Sequence, residues 1–157
     1  MGHDHLVAAR NIRGFAAPSE GRADFQFRLD EMSVDETALR HAAGMVKAVP
    51  HEAVTGTREN MLGRVLQAAS HPIVKLHAEG MPGSAGLLRL SMFLHGVTRT
   101  VDVPTAVIVD QDTLSASGRF MLKQTDFGIT PMSILGGGLV VRDAMELEFR
   151  LYARRMR

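Results

Sequence analysis

Apolar and polar residues alternate with a period of two along much of the chain. In segment 23–30, Phe25, Phe27 and Leu29 occupy one parity, while charged and amide side chains occupy the other. Successive side chains of a β-strand point to opposite faces, so this pattern predicts a strand with one buried and one solvated face. The same alternation predicts strands over 114–123 and 145–152.

Three further segments are rich in Val, Ile and Leu and are bounded by Gly, Pro or Asp, which favours strands. They cover 73–79, 87–95 and 98–109. Between the last two, Gly96 predicts a two-residue hairpin turn, because glycine readily adopts the positive φ that such turns require. The next turn is predicted at 110–112, where two aspartates flank a glutamine.

One segment departs from this alternation and predicts a helix. Apolar residues recur there at spacings of three and four: Met61, Leu62, Val65, Leu66 and Ala69. This spacing is typical of an amphipathic helix, with Thr57 as its N-cap and Pro72 stopping it. A shorter helical turn is predicted over 35–43, with Gly44 at its end.

Many amphipathic strands with a single helix must bury their apolar faces against one another, which leaves a sandwich or a closed barrel. A barrel of about eight strands has an interior that is filled by side chains or by one small ligand. The chain has no internal repeat and no low-complexity tract between two parts, so we predict one all-β domain over residues 1–157.

Composition excludes several classes of protein. With 45% hydrophobic and 22% charged residues and a net charge of +1, the chain is neither disordered nor basic enough to predict nucleic-acid binding. The absence of cysteine excludes disulfides, thiolate nucleophiles and cysteine metal sites. No apolar stretch is long enough for a membrane span, and residues 1–5 do not resemble a secretion signal. We therefore expect a cytoplasmic protein, or a periplasmic one if a targeting segment has been removed.

Candidate catalytic and metal-binding residues are few. His3, Asp4 and His5 could together bind a divalent metal, although two solvated histidines at a frayed terminus are the favoured explanation. Ser84 lies in a Gly-rich segment that predicts a loop, and no nucleophile-elbow motif surrounds it. The glycines at 136–138 are expected to relieve crowding at a bend. We assign no catalytic residue, metal ligand or cofactor.

Four motifs resemble those of the YceI-like family, whose members are lipocalin-like β-barrels associated with polyisoprenoid binding. The motifs are Arg58-Glu59-Asn60-Met61-Leu62 with Ser70-His71-Pro72-Ile73, Leu94-His95-Gly96-Val97-Thr98-Arg99, Thr125-Asp126-Phe127-Gly128-Ile129, and Leu135-Gly136-Gly137-Gly138-Leu139-Val140-Val141-Arg142-Asp143. The resemblance is convincing over 57–153. It implies that Phe127 packs inward and that Asp126 and Asp143 accept backbone N–H bonds in bends.

The resemblance further implies an antiparallel lipocalin-like barrel of about eight strands with one flanking α-helix. Its function would be non-catalytic: to carry a long-chain isoprenoid or fatty-acyl molecule inside the barrel. Eight apolar residues on the buried parities are the candidate ligand-binding residues: Phe25, Phe27, Leu29, Phe120, Leu122, Met145, Leu147 and Phe149. Alternation alone does not separate residues that line a cavity from residues that fill the core.

Three alternatives concern partners and chemistry. Family members usually begin with one more strand than this sequence, so a second copy could supply that strand in a homodimer. An open barrel edge could instead bind another protein. The third alternative is a small metal-dependent hydrolase that uses the histidines at 3 and 5.

Overall fold

The computed structural model describes residues 4–156, and its main elements are antiparallel strands. The strands are β1 (Val7–Ala8), β2 (Arg13–Ala17), β3 (Arg22–Arg28), β4 (Ser33–Val34), β5 (Ile73–Gly80), β6 (Leu87–Leu94), β7 (Val97–Val109), β8 (Thr113–Lys123), β9 (Ser133–Ile134), β10 (Leu139–Val140) and β11 (Ala144–Arg154). The α-helices are α1 (Thr37–Ala42) and α2 (His51–Asn60), and α2 continues as a π-helix over Met61–Val65.

Seven strands form one antiparallel sheet in the order β11-β8-β7-β6-β5-β3-β2. Strands β1 with β4, and β9 with β10, form two separate two-stranded ribbons. The predicted antiparallel β fold with a flanking helix is confirmed, with seven strands in the main sheet. Within residues 4–156, β2 and β11 do not pair with each other, so each of them is an edge strand.

The sheet must curl, because its apolar inner face forms one core. A flat sheet of seven strands would be roughly 29 Å wide. Residues from near both edges nevertheless pack against the same buried cluster, including Phe27 on β3 and Leu147 on β11. The centre of this cluster is completely buried and contains Val74, Val103, Phe127 and Ile129. From here on, the inner face is the face of the sheet that carries this core.

The flanking helix begins earlier than its sequence predicts. Pro50 occupies the N-cap and His51 starts α2, so the prediction of Thr57 as N-cap is wrong. Ala53 and Val54 are adjacent among residues 51–56, so these residues carry no apolar stripe at spacings of three and four that would indicate a helix. The helix ends before Pro72, because Gln67 adopts a left-handed φ of 49°. Among the described residues, no helix is long and apolar enough to cross a bilayer.

Both predicted hairpin turns are confirmed. His95 and Gly96 have φ values of 54° and 75° and join paired residues Leu94 and Val97. At the next turn, the Asp110 N–H donates to the Thr113 carbonyl over 2.9 Å. The first predicted strand ends sooner than expected. Its last two residues, Leu29 and Asp30, belong to a 3₁₀ turn over Leu29–Glu31. The Leu29 N–H donates to the Pro72 carbonyl, on the segment that leads into β5.

Candidate functional site

The inner face is covered unevenly. On β5 and β6 its side chains are buried, as for Leu76 and Met92. At the C-terminal ends of β7 and β11 and the N-terminal end of β8, the inner-face side chains are only half-buried or exposed. Val107 and Val109 are 44% and 57% exposed. We call this region the open section. It consists of two cross-strand rows, Val107–Ala116–Leu151 and Val109–Leu114–Ala153.

The open section ends at a third row, Thr105–Gly118–Phe149. The Phe149 ring lies across Gly118, because a Cβ atom placed on that glycine would be 2.8 Å from Phe149 Cζ. Phe120 meets the same ring edge-to-face at a centroid distance of 6.4 Å. We call the contact of Phe149 with Gly118 the Phe149 barrier. It separates the open section from the filled core, where Val103 is 1% exposed.

The eight predicted ligand-binding residues fall into two groups. Leu29 and Leu122 belong to the buried core, at 2% and 8% exposure. The other six are partly buried and pack against that core: Phe25, Phe27, Phe120, Met145, Leu147 and Phe149. Register places the β8 and β11 members side by side, with Leu122 opposite Met145 and Phe120 opposite Leu147. The β3 members lie near the other edge of the sheet.

None of the six residues of the open section is among the eight predicted ligand-binding residues, and Leu151 and Val107 show why. Leu151 continues the alternation of β11, so parity alone could have included it. Val107 has apolar neighbours on both sides and shows no alternation. Counting outward from the predicted turn at 110–112 would place Val107 opposite Ser115, whereas the structure pairs Asp110 with Thr113 and therefore Val107 with Ala116.

Two surface cavities flank the π-helical turn. One, of about 280 Å³, is lined by Arg64, Val65 and residues 130–133. The other, of about 450 Å³, lies between Leu62, Pro72 and the Arg28–Asp30 ion pair. Neither lining includes any of the eight predicted residues. The inner face of the sheet, which carries all of those residues except Leu29, is therefore a separate surface from both cavities.

Only part of the candidate N-terminal metal cluster can be described, because His3 lies outside the described residues. His5 has a structural contact, since its Nδ1 lies 2.7 Å from the Asp35 carboxylate. Asp35 also accepts bonds from the Leu6 N–H and from buried Arg40, at 2.9 and 2.8 Å. Among residues 4–156, no three His, Cys, Asp or Glu side chains form a group suited to a metal.

This buried contact also fixes the segments on either side. Arg40 donates to the backbone carbonyls of Asp4 and Lys47, at 2.9 and 3.1 Å. Burial raises the pKa of Asp35, but bonds from His5, the Leu6 N–H and Arg40 outweigh burial and lower the pKa below its ordinary value. Asp35 is therefore charged at neutral pH. Together with Arg40, which donates to the Lys47 carbonyl, it ties the N-terminal segment to the loop that leads into α2.

The outer face of the sheet carries paired charges. His77 Nδ1 lies 2.6 Å from an Asp24 oxygen, and its Nε2 lies 3.0 Å from a Glu79 oxygen. The hydrogen bonds to Glu79 and Asp24 raise the pKa of His77. Ser91, its cross-strand neighbour, bonds instead to Thr100 over 3.1 Å. With both ring nitrogens bonded to carboxylates, His77 is not placed to activate the Ser91 hydroxyl.

Residues from three of the four motifs meet at one end of the sheet. His95 Nδ1 lies 3.2 Å from the Phe127 carbonyl, and its Nε2 lies 3.2 Å from the Gln67 side-chain oxygen. The His71 ring packs against His95 at a centroid distance of 4.6 Å. Phe127 packs inward as expected. The motifs therefore hold the helix end, a hairpin and the 124–127 turn together.

The remaining predicted turn residues have structural roles. Asp143 accepts bonds from the Thr125 N–H and hydroxyl, at 2.9 and 2.6 Å, which confirms its expected role and lowers its pKa. No such bond is formed by Asp126 among the described residues, so that prediction is wrong. Ser84 lies in the loop between β5 and β6, as expected. The glycines at 136–138 lie between β9 and β10.

Comparison with known proteins agrees with this fold. The family model of the YceI-like domain matches residues 3–153. The structure of Burkholderia cenocepacia BcnA is similar with a TM-score of 0.62 at 14% identity, over 94% of this chain and 84% of that chain. None of the curated proteins compared with this chain matches it.

Two other solved structures are similar at 10% identity. The Campylobacter jejuni YceI protein gives a TM-score of 0.63 over 100% of this chain and 88% of that chain. A polyisoprenoid binding domain from Saccharophagus degradans gives 0.65 over 97% of this chain and 92% of that chain. At such low identity these likenesses establish a shared fold.

Proposed function

The chain belongs to the YceI-like domain family, and from this premise we propose that it binds and carries a long-chain apolar molecule, a polyisoprenoid or a related lipid. The name of the similar Saccharophagus degradans domain, a polyisoprenoid binding domain, supports this ligand class. The proposed role is non-catalytic, and the inner face of the sheet is the proposed binding surface.

The open section is the observation that carries this proposal. Its two rows consist entirely of Val, Leu and Ala, yet the protein leaves them half-buried or exposed. Apolar surface gains about 25 cal/mol for each Å² removed from water. A prenyl or acyl tail that covers these rows would complete the burial that the sheet leaves unfinished, and a ligand without fixed shape suits their aliphatic side chains.

The polar end of such a ligand belongs at the rim. Exposed charged residues surround the open section there, with Asp110 and Asp112 in the turn and Arg154 and Arg155 at the end of β11. The Arg155 N–H donates to the Asp112 carbonyl over 2.8 Å, so the two segments meet. We propose that the tail lies against the inner face while a polar head group stays at this rim in water.

The test is a pair of substitutions on neighbouring residues of β8. Ala116→Phe adds a ring to the open section, whereas Ser117→Phe adds the same ring to the exposed outer face. We expect Ala116→Phe to weaken binding of farnesol by about tenfold or more, while Ser117→Phe leaves it unchanged. Thermal unfolding of both variants checks that they fold. Equal affinities in two folded variants would contradict the proposed surface.

A second proposal concerns the free edge of β11. This strand has eleven residues and pairs only with β8 within the described part of the chain. Exposed edges of this length readily pair with another strand. We propose that a second copy of the chain pairs there in a homodimer. Light scattering over a range of concentrations tests it, and a monodisperse monomer throughout would contradict it.

A further inference from the structure

We infer that the Phe149 barrier sets the length of the tail that the open section accepts. This inference rests on the proposed function and adds a specificity determinant to it. The barrier is placed to act this way because the Phe149 ring covers β8 at Gly118, the residue where an inner-face side chain would otherwise project. A tail that runs along β8 from the rim therefore meets the ring before it reaches the core.

Packing behind the ring limits its movement. Phe120 contacts it edge-to-face, and Thr105, the third member of the row, is 5% exposed. Beyond them the core is filled, with Val103 at 1% exposure. Passage of a longer tail would require the Phe149 ring to leave Gly118, and that would uncover the apolar surface beneath it. Binding of a longer tail would therefore cost the contact between the Phe149 ring and Gly118, and this cost disfavours long tails.

The register gives the length of the space in front of the barrier. Five residue steps separate Gly118 from Thr113 at the start of β8, which corresponds to about 17 Å at roughly 3.3 Å per residue. An extended carbon chain with bonds of ~1.52 Å and angles of ~111° advances about 1.25 Å per carbon, so about 13 carbons fit, or about three isoprene units. The open section therefore matches a farnesyl-sized tail.

The experiment measures affinity against tail length. The probes are geraniol, farnesol, geranylgeraniol and solanesol, with two, three, four and nine isoprene units, in competition with a dansylated fatty acid. For the unsubstituted protein we expect affinity to rise by at least about tenfold from geraniol to farnesol, and by less than about threefold beyond farnesol. In Phe149→Ala, we expect the rise to continue by about tenfold to geranylgeraniol.

Two further variants make the outcome interpretable. Tyr152→Ala removes an aromatic ring from the exposed outer face of the same strand and should keep the plateau at farnesol. Phe149→Leu retains apolar packing and serves as the second variant if Phe149→Ala unfolds. It should also extend the rise in affinity beyond farnesol, but by less than Phe149→Ala.

The possible results separate this inference from the proposed function. If the unsubstituted protein shows no plateau, or if folded Phe149 variants keep the plateau at farnesol, the barrier does not set length, although apolar binding stands. If the folded protein binds none of the four alcohols, the proposed function itself fails.

Discussion

Breaking the buried ion pair between Asp35 and Arg40 should cost the protein a large part of its stability. The Asp35 side chain is completely buried and the Arg40 side chain is 8% exposed, with 2.8 Å between them. Arg40→Met would leave a buried carboxylate with only His5 and the Leu6 N–H as partners. Removing one partner of a buried pair typically costs about 3–5 kcal/mol.

The magnitude can be checked by urea unfolding and by heating. For a domain of this size, each kcal/mol lowers the melting temperature by about 2–4 °C, so Arg40→Met should melt roughly 10 °C lower. Asp35 has a positive φ of 54°, which asparagine tolerates well, so Asp35→Asn is the matched removal of the other charge. The double variant should lose clearly less than the sum of the two single losses, because it buries no unpaired charge.

The pH dependence has a defined sign. Because the folded state lowers the pKa of Asp35, its contribution is complete above the carboxyl's unfolded pKa of about 3.9 and is lost as pH falls toward the folded value. Asp35→Asn should therefore flatten stability against pH in the acid range. A loss below about 1 kcal/mol for Arg40→Met, or strict additivity in the double variant, would refute this reasoning.

Three further predictions follow from single contacts. Hydrogen bonds to Glu79 and then Asp24 raise the pKa of His77 in the folded protein. The contribution of His77 to the free energy of unfolding should therefore be complete below about pH 6.5 and should be lost as pH rises through the folded pKa. NMR titration of the His77 ring should show the raised pKa. Phe127→Ala should cost about 3–5 kcal/mol in urea unfolding, since the ring is 1% exposed. Gly118→Ala should destabilise the protein by about 1–3 kcal/mol, because its Cβ would lie 2.7 Å from the Pro104 carbonyl oxygen. As a control, Gly56→Ala in α2, where the new Cβ meets open space, should stabilise the protein by about 0.5–1 kcal/mol.

Alternation predicted β3, β8 and β11 because each has one covered face and one solvent-exposed face. The β11 side chains alternate strictly between half-buried and exposed, as its sequence implies. Strand β2 escaped prediction for the opposite reason. Its sequence Arg-Gly-Phe-Ala-Ala does not alternate, and Phe15 points to the outer face at 62% exposure. Its pairing with β3 is set by tertiary packing, so the local sequence pattern does not predict it.

The same limit applies to the candidate site. Parity correctly places Leu122 and Phe149 on the inner face, but Leu122 is core and Phe149 borders the open section. The difference depends on where the sheet curls and where the helix covers it. The extent of that coverage arises from tertiary packing, so two residues with identical local patterns can have different surroundings. The Phe149 barrier likewise depends on a glycine opposite an aromatic residue across two strands.

Native mass spectrometry of the purified protein, followed by organic extraction and lipid analysis, tests the central claim most directly. Binding of a long-chain apolar molecule predicts a mass increment near one per chain, which disappears on extraction and is recovered as a prenyl or acyl lipid. Rebinding of added farnesol to the emptied protein should restore an increment. A folded protein that carries no lipid and takes up none of the added farnesol would contradict the account.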